Sequence, residues 1–466
     1  MLFSSIPFLY YFLPAVIFFY FISPQKLRNT VLLLFSLVFY AWGEPKYVFL
    51  MLATIGINYI LGLLIEKFKG SFLSKLFVIV SVAASLLVLG FFKYADFFIE
   101  NFAALTGLPV KTLNIALPIG ISFYTFQILS YTVDVYRGNV KAQKNPITLG
   151  AYITLFPQLI AGPIVRYSDV EKQLLQRNHS FSKAAEGIRR FIIGLSKKII
   201  LANTLGEMCD VFITSPDKSI LFYWLFALCY MLQVYFDFSG YSDMAIGLGK
   251  IFGFDFYENF RYPFISGSIS EFWRRWHISL GTWFRDYVYF PMGGSRVNKL
   301  RLFINIFTVW FLTGFWHGAE WNFIIWGLFF AVLLTFEKYF LTGFLKKSRV
   351  LNHIYVLFFV AISFVIFSAS GLSDALARIG GLFGVGNIPL ISESFIFNLK
   401  NYFFVIILGI IGATPLLVTV KNRIYKNRKL SYLIDLFEIP VLLLLLVIST
   451  SYLVDGSFNP FLYFRF

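Results

Sequence analysis

Two of the four histidines in this 466-residue chain are set among tryptophans, His317 in TGFWHGAEWN and His277 in EFWRRWHISL. Imidazole has a near-neutral pKa, which suits it to take a hydroxyl proton at the transition state and hand it on. His179 and His353 lie in or beside basic stretches instead. His317 falls at a turn between two apolar segments, where an ionisable group is either functional or a core histidine hydrogen-bonded to a neighbour. Its surroundings favour function. Gly314 and Gly318 form a GxxxG that lets another helix approach closely, and Trp316, Trp321 and Asn322 crowd the same point.

The second histidine belongs to residues 255–301, a stretch too polar to span a membrane and too aromatic for a free loop. Arg274, Arg275, His277, Arg285 and Asp286 alternate there with Trp273, Trp276 and Trp283, an amphipathic pattern suited to short helices lying in an interface. Plain anchoring, arginine to lipid phosphate and tryptophan in the aromatic belt, accounts for the arginines. It accounts less well for His277 and Asp286. Cys209 and Cys229 have neither metal nor redox spacing and read as packing residues, so no metal is expected. The chain carries no Walker A or dinucleotide fingerprint, and no bound cofactor is expected either.

The elements that must position these residues are membrane helices. The chain is 58% hydrophobic and 14% charged, against roughly a quarter charged in soluble domains, which excludes an ordinary soluble enzyme. A net charge of +16 could serve nucleic acid, anionic lipid or positive-inside topology, and the apolar background favours the last two. No nucleic-acid partner is expected. Apolar runs near 3–22, 46–65, 73–92, 219–238, 321–341, 351–370, 401–420 and 434–454 are predicted spans. The first lacks a basic leader and a small-residue cleavage site and is expected to be retained. Residues 30–43, 115–133, 148–165, 189–203, 241–254 and 302–317 are shorter or broken, predicting partial, re-entrant or interfacial helices around an interior cavity. One multispan domain over 1–466 is expected. Basic residues cluster in 166–198, 261–301, 346–349 and 421–429, all predicted to be cytoplasmic. Two spans separate the last two clusters, which puts them on one side and the C-terminus outside.

The run FDFSGYSDMAIGLGKIFGFDFYENFRYPFISGSISEFWRRWHISLGTWFRDYVYFPMGGSR, followed by LTGFWHGAEWN, resembles the membrane-bound O-acyltransferase family in its bacterial alginate O-acetylation branch. ALPIGISFYTFQILSYTVDVYRG and FPQLIAGPIVRYSD extend the likeness upstream, so that it covers most of 116–326. The flanking regions match mainly as hydrophobic helices. The teichoic acid D-alanylation branch shares the WH and FWxRW patterns but is less similar in GYSDMAIGLGK and around PMGG.

The resemblance implies an all-α polytopic bundle of this family's type, around a central cavity. It implies that His317 is the catalytic histidine and His277 an auxiliary one. Oxyanion donors would be Asn322, the Trp316 indole or a backbone amide. An outward funnel would end at His317, while Arg274, Arg285 and neighbouring Asp286 would surround a cytoplasmic mouth for an anionic thioester donor, acetyl-CoA or an acylated carrier protein. The implied activity is passage of an acetyl or similar small acyl group across the bacterial cytoplasmic membrane, for O-acetylation of an envelope or secreted polysaccharide. An extracytoplasmic acetyltransferase is the expected partner. The ending DGSFNPFLYFRF resembles the tail of related acylation systems and makes Tyr463 a candidate acyl relay, with aromatic anchoring as the other reading. D-alanyl transfer to teichoic acid is the nearest enzymatic alternative. A polytopic transporter is the alternative of another class, disfavoured by the lack of a convincing inverted repeat.

Overall fold

A computed structural model describes residues 1–460 except 161, 342, 344, 346, 347 and 457, and without the side chains of 428–430. No strand occurs among the described residues. Among the described residues, seven helices are long and apolar enough to cross a membrane: Tyr47–Lys67, Phe72–Thr106, Ile220–Ile251, Trp321–Leu341, Arg349–Ser368, Glu393–Gly412 and Ser431–Val454. The protein is an all-α polytopic membrane protein, the architecture that satisfies every backbone polar group within its own segment in lipid.

Three predicted boundaries are corrected by local chemistry. The segment expected to span at 3–22 gives only a short apolar helix, Phe8–Ile22. Pro24 drives Ser23 into an extended conformation (ψ 141°), and the helix ends there. The span expected at 401–420 runs instead over Glu393–Gly412. The Ser392 hydroxyl caps its start by accepting from the Phe395 amide at 3.2 Å, and Pro415 lies just beyond its end. The pieces expected at 219–238 and 241–254 form one continuous helix, Ile220–Ile251. Gly240 is there for packing, since a Cβ on it would stand 2.7 Å from the Gly194 carbonyl oxygen. The charges that suggested a break are paired: Lys198 with Asp237 at 2.6 Å and Lys197 with Asp243 at 2.7 Å.

The chain forms two compact units, Met1–Phe191 with Met244–Tyr257, and Ile192–Asp243 with Glu258–Phe466. In the first, Phe3, Phe8, Phe12, Phe39 and Phe156 interlock as an aromatic core. Helices Tyr47–Lys67 and Phe72–Thr106 are clasped by buried Asn58, which accepts from the Ser81 hydroxyl at 2.6 Å and donates to Ser85 at 3.4 Å. The second unit contains both tryptophan-flanked histidines. Its core is built from Phe226, Tyr235, Phe272, Trp276, Trp326 and Phe364, among others.

Candidate active site

Short helices present the first histidine. Ile269–Arg275 starts at Ser268, whose hydroxyl accepts from the Glu271 amide at 3.0 Å. The buried Glu337 carboxylate takes the Ile269 amide at 2.7 Å and pins the same end. Glu271 holds the Gly267 amide at 2.9 Å and pairs with Arg275 at 2.8 Å. The chain then turns sharply, and His277 occupies the left-handed region (φ 45°) before the next helix, Ile278–Phe284. That conformation is costly for a residue with a Cβ and is held by its surroundings.

Asn259 is the residue that orients the imidazole. Its Oδ1 lies 3.3 Å from His277 Nδ1 and also accepts from the Ser279 amide at 3.1 Å and the Ser279 hydroxyl at 2.9 Å. A carboxamide oxygen only accepts, so Nδ1 carries the proton and Nε2 carries the lone pair. Nε2 is buried and meets no hydrogen-bond partner among the described residues. Burial pushes the His277 pKa down to about 3, so the ring is neutral at pH 7.

His317 is the last residue of helix Lys299–His317. Gly314 and Gly318 do let a helix come close, and that helix is the next one in the chain, Trp321–Phe336. A Cβ at Gly314 would stand 2.3 Å from the Phe323 carbonyl oxygen, and one at Gly318 would stand 2.1 Å from the Phe323 ring. Gly327 answers from the other side, where a Cβ would stand 2.3 Å from the Trp310 carbonyl oxygen. The His317 ring is buried between Trp316, Trp326 and Phe367, at centroid distances of 5.0, 5.0 and 5.4 Å. Trp316 also faces His277 at 6.3 Å, so one indole contacts both imidazoles.

A cavity of about 400 Å³ opens onto His277, Arg274, Arg285, Trp273, Trp310 and Thr313, among others. Thr313 lies one turn before His317 on its helix. Both arginines are exposed, and Asp286 partly neutralises Arg285 at 2.8 Å. Asn322 is fully buried and donates one of its two amide hydrogens to the Ala369 carbonyl at 2.8 Å. Trp321 is 51% exposed and does not wall the site; Trp326 does. Tyr463 lies outside the described residues. Asn259, Trp326 and Phe367 escaped the sequence reading, although Asn259 stood out as the lone amide among the aromatics of DFYENFRYP.

Comparison with known proteins decides the family. The profile of the membrane-bound O-acyltransferase family matches residues 142–373, which contain both histidines. The probable alginate O-acetylase AlgI of Azotobacter vinelandii is 38% identical over 499 residues, covering all of both chains. The chain belongs to the membrane-bound O-acyltransferase family. The peptidoglycan O-acetyltransferase of Helicobacter pylori is 34% identical over 84% of this chain and 81% of its own. The teichoic acid D-alanyltransferase of Bacillus subtilis is likewise 34% identical, but over only 48% of this chain and 59% of its own. The protein is an acyltransferase of the O-acetylating branch, and the cavity at His277, with His317 joined to it through Trp316, is its candidate active site.

Proposed function

We propose that the chain takes an acetyl group from a thioester on the cytoplasmic face and passes it outward for O-acetylation of an envelope or secreted polysaccharide. The observation that carries this reading is the shared neighbourhood of the two histidines: Trp316 contacts both rings, and a cavity carrying Arg274 and Arg285 reaches His277. Two exposed guanidinium groups suit the phosphates of acetyl-CoA or of a carrier protein's prosthetic arm. His317 acts as the base. It takes the proton of an attacking hydroxyl as that oxygen bonds to the thioester carbon, and the proton then goes to the departing thiolate, leaving an oxygen ester and a free thiol. The second N–H of Asn322, the Trp316 indole or a backbone amide would hold the oxyanion. Tyr463 is the proposed first acceptor, with its phenolic oxygen carrying the acetyl group to an extracytoplasmic acetyltransferase that completes the polymer ester. The reading places the protein in the bacterial cytoplasmic membrane with its C-terminus outside.

The test is ester-linked acetate on the polysaccharide of cells carrying wild-type protein or His317→Ala at equal membrane levels. Loss of acetate is the expected result, and unchanged acetate overturns the assignment. D-alanyl esters lost in place of acetate would move the chain to the teichoic acid reading, which its partial match to that relative keeps second.

A further inference from the structure

In the first unit, the turn joining helix Leu13–Ile22 to helix Arg28–Ala41 holds a cluster that acyl transfer does not use. Tyr20 is fully buried and its hydroxyl donates to the Phe252 carbonyl at 2.9 Å. Having spent its one proton, that hydroxyl accepts from His179 Nε2 at 2.9 Å. His179 Nδ1 is therefore the acceptor, and it takes an N–H from Arg28 at 3.3 Å. Arg177 stacks 4.7 Å from the Phe254 ring and donates to Asn29 Oδ1 at 2.7 Å. Both guanidinium carbons lie within 5.6 Å of the Tyr20 ring centroid. The loop over them needs Gly253 (φ +87°), since a Cβ would meet His179 Nε2 at 3.0 Å and Arg177 Cβ at 3.1 Å.

The cluster's charge is not balanced. Among the described residues, neither Arg28 nor Arg177 forms an ion pair, while the carboxylate nearby, Asp255, is taken by Lys183 at 2.7 Å. Among the described residues, Arg28 Nε and Arg177 Nη1 are buried with no hydrogen-bond partner, while the rest of each side chain is partly exposed. Burial, with the neighbouring arginine charges adding to it, holds the His179 pKa below its usual value. A neutral imidazole and two guanidinium groups thus stand together with no carboxylate of their own among the described residues.

We propose that Arg28, Arg177 and His179 bind a phosphoryl group, carried by a phospholipid headgroup or by a soluble phosphate ester. Guanidinium forks match two phosphate oxygens at once. Basic pockets at the ends of apolar helices are where membrane proteins retain anionic lipid headgroups.

The test is the melting temperature of the purified full chain in a neutral detergent at constant ionic strength. It is measured with phosphatidylglycerol, with phosphate-free dioleoylglycerol, or with inorganic phosphate. Phosphatidylglycerol, inorganic phosphate or both should raise it by about 2 °C or more over dioleoylglycerol or chloride. The shift should vanish in Arg28→Gln/Arg177→Gln. A shift with the lipid alone identifies a headgroup site, and one with inorganic phosphate identifies a site open to soluble esters. If the double variant does not accumulate, Arg177→Gln, which leaves the Arg28–His179 bond in place, should at least halve the shift. No anion-dependent shift, or one undiminished in the variants, overturns the proposal.

Discussion

Asn259 Oδ1 gathers three donors, the His277 ring and both the amide and the hydroxyl of Ser279, so its removal has effects on orientation and on stability. Asn259→Ala frees the imidazole to take either tautomer and leaves buried donors unsatisfied, at about 1–3 kcal/mol each. Acyl transfer is expected to fall tenfold or more, the usual cost of losing an orienting partner. Asn259→Asp keeps an acceptor at Nδ1 and should retain more activity; equal loss in both variants would show that the carboxamide serves only the fold. His277 also makes stability depend on pH. Its folded pKa of about 3 lies below the ordinary 6.5, so the unfolded chain binds the extra proton in that window. This contribution is complete above pH 6.5 and is lost as pH falls toward 3, with a slope of up to about 1.4 kcal/mol per pH unit. Denaturation of the detergent-solubilised protein between pH 4.5 and 7 should show that slope, and His277→Gln should remove it.

Among the elements, the pair Lys299–His317 and Trp321–Phe336 sets where His317 stands, and their glycines make the contact possible. Gly314→Ala would drive a methyl into the Phe323 carbonyl, which must move and take the histidine's helix with it. Overpacking of this kind costs about 1–3 kcal/mol. Gly56→Ala is the matched control, since nothing lies within 4 Å of a Cβ there, and it should change stability by no more than about 0.5 kcal/mol. Melting temperature and acyl transfer should both fall in the first variant and hold in the second. This contact was legible in TGFWHGAEWN because spacing on one helix is written in the sequence. The identity of the wall was less so. Trp321 and Trp326 sit five positions apart on one helix, about 140° around its axis, and only the second turns toward His317. Asn259 and Phe367 reach the histidines from other segments, a tertiary placement that no local pattern encodes. The single helix Ile220–Ile251 was misread for a related reason, since its internal charges suggest a break until their lysine partners are seen.

At the scale of the whole molecule, the tail gives the direction of transfer a structural handle. Asn203 donates to Asn459 Oδ1 at 3.2 Å, and the Lys198 ammonium, buried beside Asp237, donates to the Pro460 carbonyl. The chain leading to Tyr463 is therefore tied down three residues before it. A relay needs such a tether, because holding the phenol near the thioester replaces a bimolecular encounter with an intramolecular one. If the acyl group crosses through this protein, sealed vesicles given labelled donor only on the cytoplasmic face should accumulate label on an external acceptor. Donor confined to the other face should give none. Tyr463→Phe should abolish delivery to the polymer while leaving the protein's membrane level and melting temperature intact, since it deletes one oxygen. Normal delivery by that variant would reduce the tail to an aromatic anchor. Delivery from the other face would overturn the proposed cytoplasmic mouth at Arg274 and Arg285.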